Sequence, residues 1–465
     1  MSAQELIRID QELCTRCGHC AEVCPVQAIT SGRRETRTVD AARCVKCGRC
    51  VQTCSAFDSL FDEPAGRRSE RIRERMLPAS FSEPMFAMHD ETSLPELSAA
   101  LEERHVLTVV HCDSAVFAPL AEEFGLPAGS LRTGQVVAAL RALGFHKVYS
   151  NTLPAAISVL EQARELADRV EKGGNLPLIN ASCPAAVQFI EQAFPELIHY
   201  FSGCRSPRQL AGSLSKAWLA KELGTNAAFL YNVSLASCTA HKFEVTRPEL
   251  RTDGKREIDA VMTTRELAWL IKREGIEPHL LEDSEFDAQM AAVPEMSGAF
   301  CHTGDISQSV LATAADLLQA KDAVQEEGSE ENGTRHFRIR IEGRDYQAAA
   351  VSGLQNAVPL LEAARAGKST VRFLEIMACP QGCVSGGGQP KVLLPRQQEE
   401  VYRKRVSACT AAPTTARLSQ NATIRRLYDE VFACQPGDKS NHILYTHYVE
   451  RSDEFVSKGS MDSDS

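Results

Sequence analysis

Cysteine is the residue whose placement in this chain carries the most chemistry, because its thiolate is a soft ligand for iron. Of 17 cysteines in 465 residues, eight fall before residue 55, in the runs CTRCGHCAEVCP and CVKCGRCVQTCS. Cys14, Cys17, Cys20 and Cys24, followed by Pro25, have the spacing C-x2-C-x2-C-x3-C-P; Cys44, Cys47, Cys50 and Cys54 repeat it with Ser55 in place of the proline. A tight loop of this kind aims three thiolates at one cubane while its fourth cysteine crosses to another. Cys14, Cys17, Cys20 and Cys54 are therefore expected to hold one [4Fe–4S] cluster, and Cys44, Cys47, Cys50 and Cys24 a second. Zinc also takes paired cysteines, but the duplicated eight-cysteine pattern speaks against it. Arg16, His19, Lys46 and Arg49 lie inside these loops, where positive charge favours a reduced cluster.

Three later segments carry cysteines in a different setting: NASCPAAVQFIEQAFPELIHYFSGCRSP with Cys183, SLASCTAHKFE with Cys238, and FLEIMACPQGCVSGGGQP with Cys379 and Cys383. A single buried cysteine is more often a small hydrophobe than a ligand. In the third segment two cysteines one helical turn apart precede three glycines, which suggests a backbone closing tightly around a cofactor. Cys112, Cys204, Cys409 and Cys434 have no spacing that demands a metal, and packing is expected for each.

The elements that must position these residues are legible in outline. The fold class expected is α/β, with a small α+β cluster module over 1–60, a charged linker or helix (GRRSERIRERM) within 61–92, a large domain over 93–450 and a disordered tail over 451–465. HVLTVVHC reads as a buried strand and TGQVVAALRALGFHKVY as a helix running into a strand. TLPAAISVLEQARELADRVEKG reads as a helix ending at Gly173, and LPLINAS as a strand. NAAFLYNVS and EIDAVMT read as strands, TTRELAWLIKREG as a helix, and HFRIRIEGRDYQAAAVSG as a hairpin. The acidic tract EEGSEENG before that hairpin is expected to be an exposed turn or insertion. A net charge of -10 argues against nucleic acid as the main partner. No apolar run is long enough to cross a bilayer, and MSAQELIRID lacks the regions of a signal peptide, so a cytoplasmic location without membrane insertion is expected.

The N-terminal module resembles bacterial two-cluster ferredoxins. The three later segments resemble the signature motifs of iron-only ([FeFe]) hydrogenases, and the likeness extends through DAVMTTRELA, LEDSEFDAQM and HILYTHY. The resemblance implies a two-lobed hydrogenase domain clamping a metal site. It implies that Cys183, Cys238, Cys379 and Cys383 hold a third cubane, with Cys383 also bridging to a diiron subcluster that carries CO, cyanide and a bridging dithiolate. Met377 matches a thioether beside that unit, and Phe300 a phenylalanine lining its pocket. The implied reaction is reversible combination of protons and electrons to H2, with ferredoxin or another redox subunit as electron partner and hydrogenase maturation proteins as partners in assembly.

Several positions depart from the pattern. Ser182 stands where the family has a second cysteine, the proton donor to the dithiolate amine. Gln162 replaces a relay glutamate, whereas Ser202 and Glu165 match the rest of that relay, which is expected to run from Ser182 through water. Ala236 and Ser237 replace Met-Pro, His241 replaces a lysine that hydrogen-bonds a cyanide, and Asp113 and Ser114 replace Ala-Pro. Cys301 and His302 occupy positions that are small in the family and are candidates for a substitute proton path. These changes imply slow, biased or redirected hydrogen chemistry. Two other classes compete: a hydrogen sensor reporting to a partner, and an iron–sulfur assembly factor without the diiron unit. The enzyme is preferred to the sensor because no signalling domain is visible after residue 450, and to the assembly factor because the first two motifs look hydrogenase-like.

Overall fold

The computed structural model describes residues 6–30, 37–55, 86–290, 293–296, 298, 300–318, 324–341, 344–409 and 418–451. The charged stretch of the expected linker and the expected disordered tail beyond 451 lie outside the described residues. The last part of that linker is not a linker. Residues β1 (Ile7–Ile9) and β2 (Met88–Asp90) pair antiparallel, and Ile7 and Met88 are buried with Val51, Cys50 and Cys54. Apolar residues on both segments complete the small core around the clusters, which is why the chain returns there.

Two larger sheets follow. β3 (Leu107–Cys112), β4 (Lys147–Ser150), β6 (Leu230–Ala236) and β7 (Ala260–Thr263) form a parallel sheet in the order β4-β3-β6-β7. β5 (Leu178–Ile179) joins β8 (Val324–Glu331), β9 (Thr334–Ile341), β10 (Arg344–Ser352) and β11 (Phe373–Met377) in a mixed sheet, order β5-β11-β10-β9-β8. All five positions of β11 are buried, as befits a strand with neighbours on both sides and cover on both faces.

The acidic tract differs from expectation. It is strand β8 rather than a turn, paired with β9 in a register that sets Glu330 opposite Arg335. The turn is confined to Asn332 and Gly333, both at positive φ (50° and 69°), as a two-residue hairpin turn requires. Opposite charge across the ladder offsets the poor strand propensity of glutamate.

Helices cover the sheets. Thr152–Lys172 runs through the core of the second lobe and stops at Gly173, φ 83°. Thr264–Arg273 starts at a capping box in which Thr263 N–H donates to Glu266 Oε2 (2.8 Å), satisfying end donors reciprocally. The carboxyl ends of β5, β6 and β11 all lead into cysteine loops, and β3 leads into Asp113. Strand carboxyl ends are where open α/β sheets place their ligand sites.

Candidate metal centre

Cys183 caps the helix Pro184–Ala193, Cys238 follows β6, and Cys379 and Cys383 follow β11. The four are within electrostatic reach of one another. Cys183 and Cys383 act on Cys238, Cys238 and Cys183 act on Cys379, and Cys183 acts on Cys383. Burial raises all four thiols, Cys383 to about 12. Such thiols keep their protons until a metal displaces them. Among the described residues no three His, Cys, Asp or Glu side chains close around a single ion; cubane ligands stand apart around a larger body.

The glycines after Cys383 lie against the backbone of other cysteine loops. A Cβ on Gly386 would meet Ser237 O at 2.4 Å, one on Gly388 the same atom at 2.9 Å, and one on Gly387 would meet Cys47 O at 2.2 Å and Gly48 C at 2.3 Å. These glycines let the third motif lie directly on the backbones of the second motif and of a cluster loop in the N-terminal module.

That module has two enclosed spaces. One small cavity is lined by Cys14, Cys17, Cys20 and Cys54, and another by Cys24, Cys44, Cys47 and Cys50. These are the two ligand sets expected from the spacing, with the fourth cysteines exchanged. Burial, with Cys17 and Cys54 adding, raises Cys20 to about 11. Four thiols around a closed space fit a cubane in each case. Docking to the large domain is polar and extensive. Thr239 Oγ1 donates to Lys46 O (2.6 Å), Gln52 Nε2 to Gly386 O (3.1 Å), and Lys391 Nζ to Val51 O (2.9 Å) and Cys54 O (3.0 Å). Cys47 acts electrostatically on Cys379, so a cluster held by the second module set would lie beside one held by the third.

The expected relay is placed differently. Asn180, which sequence reasoning missed, stands where water was expected: its Nδ2 donates to Gln162 Oε1 (2.6 Å) and Ser182 Oγ (3.2 Å). Gln162 Nε2 turns to Ser158 O (3.2 Å) and Oγ (3.0 Å). Ser202 Oγ donates to Glu165 Oε2 (2.8 Å), whose other oxygen accepts from Arg169 (2.8 Å) and Lys439 (2.6 Å). Among the described residues no hydrogen bond joins Gln162 to Ser202. An asparagine so placed has room here because both flanking groups, hydroxyl and amide, accept its protons.

Near Cys383 lies a small cavity lined by Asp113, Ser114, Asn151, Arg208 and Phe300 among others. Phe300 has φ 68°, a costly conformation for an aromatic residue. Arg208 donates to Asp113 Oδ2, and Asn151 Nδ2 to Asp113 Oδ1 (3.1 Å). Arg208 was also missed; its signal, a basic residue in a small-residue helix start, is visible only with Asp113 opposite. Met377 is buried in one core with Phe300. His241 Nδ1 is 2.7 Å from Glu244 Oε2; burial and Arg208 lower its pKa against the pull of Glu244. Cys301 packs with Ala115 and Val384, against Cys383 and Cys409. His302 instead faces Gln381 Oε1 (3.2 Å) and Arg335 (2.9 Å), so the two candidates for a substitute path point into different surroundings. The buried Nε of Arg208 lacks a partner among the described residues, while the Ser237 hydroxyl lies against the Cys383 thiol and lowers its pKa. A cavity with one unmet buried donor near a cysteine of the third motif fits an acceptor-rich group.

Comparison with known proteins gives the family of the chain. Residues 106–387 match the family described as iron only hydrogenase large subunit, C-terminal domain, and residues 7–30 match a 4Fe-4S binding domain. The chain is 32% identical over 376 residues to iron hydrogenase 1 of Clostridium pasteurianum, covering 78% of this chain and 65% of that protein. It is 32% identical to the periplasmic [Fe] hydrogenase large subunit of Nitratidesulfovibrio vulgaris, covering 83% and 86%. The chain thus spans just under two thirds of the clostridial relative. An apo [FeFe]-hydrogenase of Chlamydomonas reinhardtii superposes with TM-score 0.67 at 26% identity, covering 78% of this chain and 100% of that one. Similarity also reaches a cytosolic Fe-S cluster assembly factor of Danio rerio, 28% identical over 71% of this chain and 83% of that protein. With its profile matched over more than half its length, the chain belongs to the iron-only hydrogenase family, as a divergent member carrying an N-terminal 4Fe–4S module.

Proposed function

We propose that this protein is an iron–sulfur oxidoreductase that interconverts protons and H2, exchanging electrons through its two [4Fe–4S] clusters with ferredoxin or a partner redox subunit, and that its turnover is limited by proton delivery. The observation that carries the reading is the contact of Gly387 with the Cys47–Gly48 backbone, which sets a module cluster against the third cubane. Cys183, Cys238, Cys379 and Cys383 would hold that cubane, and Cys383 would bridge to the diiron subcluster. When bound, that subcluster, with CO, cyanide and a bridging dithiolate, supplies hydrogen activation and a basic amine. Phe300 and Met377 exclude water from the pocket, which strengthens electrostatic interactions inside. Ser182 holds a hydrogen bond at the pocket end of the relay, but neither it nor Asn180 or Gln162 ionises near neutrality. The test is protein matured with hydrogenase maturation proteins and examined by infrared spectroscopy and H2 evolution. CO and cyanide bands with slow H2 evolution are expected; their absence after competent maturation overturns the reading in favour of an assembly factor.

A second reading is favoured by the same interrupted relay. A hydrogen-responsive protein that reports cluster redox state to a partner needs binding and slow equilibration rather than turnover. Bands that shift under H2 without measurable H2 evolution would select it.

A further inference from the structure

The pocket beside Cys383 contains a buried ion pair with one donor left over. Arg208, 4% exposed, sits on the helix Pro207–Leu214. One terminal nitrogen donates to Asp113, itself 7% exposed and held by Asn151. Its Nε has no partner among the described residues, although the side chain lines the cavity. A guanidinium is a rigid fork of donors, and leaving one unmet in a buried site costs free energy unless a ligand meets it. The guanidinium also acts electrostatically on Cys183, Cys238 and Cys383, so it faces the cubane side of the pocket.

The other basic residues of this region are otherwise committed. His241 is bonded to Glu244 through Nδ1, and its burial beside Arg208 disfavours a second positive charge there. Lys242 turns away, donating to Asp90 (2.7 Å), Glu91 O (2.7 Å) and Glu266 (2.7 Å). Arg208 remains charged, since the Asp113 carboxylate beside it offsets the cost of burial. Asp113 alone would repel an anionic ligand; paired with Arg208 it leaves a neutral frame with an outward N–H.

Resting on the diiron reading given above, we propose that Arg208, positioned by Asp113, is the cationic residue that hydrogen-bonds a cyanide ligand of the diiron unit in this protein, in place of the lysine whose position His241 occupies. The contact is a charge-assisted hydrogen bond from Nε–H, of the kind that is stronger than a neutral one. The departures at 113 and 241 then form one set with Arg208: the cation moves from one wall of the pocket to another and brings its own counter-ion.

The test is infrared spectroscopy of the matured full chain. Arg208→Lys keeps a charge opposite Asp113 and removes the Nε donor. The double variant Asp113→Ala/Arg208→Gln removes both charges together and leaves no buried carboxylate unpaired. Cyanide bands are expected to shift in both, by more than in His241→Gln, while CO bands confirm equal loading and iron content confirms the three cubanes. Cyanide bands at parental positions in a loaded Arg208→Lys protein overturn the assignment even where the double variant fails to load, and a larger shift in His241→Gln returns the role to His241. A parent without CO or cyanide bands overturns the diiron reading itself, and Arg208 is then a structural ion pair only.

Discussion

At the scale of single residues, the proton path shows what local sequence can and cannot reveal. Ser182, Asn180 and Gln162 form a continuous line of hydroxyl and amides, and proton transfer through it is limited by its worst step. Ser182→Cys and Gln162→Glu should each give small gains in H2 evolution from a reduced dye. The double variant should gain more than their product, because neighbours on one path couple. Adding Asn180→Ala, which opens room for a water, should raise turnover further. Loading is equalised by infrared intensity, and a double variant no faster than its parent would remove proton delivery as the limit. His302, turned toward Arg335 and Gln381, should matter little: His302→Ala is expected to retain activity within about twofold, or ~0.4 kcal/mol in barrier. A tenfold loss on that change would restore it to a proton path. The eight module cysteines were legible because their spacing is local and repeated, whereas Cys183, Cys238, Cys379 and Cys383 stood out only through the resemblance of their segments. Asn180 and Arg208 were not, because each acquires its meaning from a partner distant in sequence, Gln162 in one case and Asp113 in the other.

Between elements, the decisive contacts are backbone on backbone. Gly387 has no room for a Cβ against Cys47 O and Gly48 C, and neither atom is the end of a flexible side chain. Gly387→Ala should therefore push the cluster loop away from the third motif, lowering H2 turnover with reduced ferredoxin at least tenfold, about 1.4 kcal/mol in barrier, with iron content unchanged. Equal turnover in the loaded variant would show that this contact does not set electron transfer. A second element-level prediction concerns β3, where His111 stacks on Tyr149 and Nε2 meets Ser215 Oγ at 2.9 Å. Burial lowers its pKa to about 4, below the value of roughly 6.5 in an unfolded chain. The unfolded state then binds the extra proton, so His111 stabilises the fold above pH ~6.5 and this contribution falls as pH drops toward the folded value. By one unit below that point the loss is about 1.4 kcal/mol. Thermal unfolding of the parent and His111→Gln at pH 7.5 and 5.5 should show the gap narrowing by about this much, and a gap independent of pH would refute the assignment. The strands and long helices were readable from apolar runs and from stops such as Gly173. β8 was not, since its glutamates oppose strand propensity and only the basic strand beside it makes the pairing favourable; the return of Met88–Asp90 to Ile7–Ile9 was hidden for the same reason, because pairing partners 81 positions apart leave no local mark.

For the whole molecule, cluster loading tests how the parts depend on one another. Each N-terminal cavity is closed by its own four cysteines, drawn from two loops of one small module. The third set comes from three separate segments, at the ends of β5, β6 and β11, and is completed only when both lobes have folded. Protein made without maturation factors should bind about twelve irons, four per cubane, and maturation should add about two more with the infrared bands. Cys379→Ser/Cys383→Ser should lose about four irons and keep about eight, because the module cavities do not use those thiols. The same variant should take up no diiron unit on maturation, since Cys383 is the bridge. The docking contacts of Gln52 and Lys391 pass through backbone carbonyls and not through the third cubane, so the module should remain seated and its two clusters should stay reducible. Loss of all twelve irons in that variant would show instead that the module folds only on an assembled metal centre, and zinc in place of iron in the parent would remove the cluster assignment altogether. Retention of eight, with electron exchange at the module intact and hydrogen chemistry gone, would place the wire and the reacting site in separable parts of one chain.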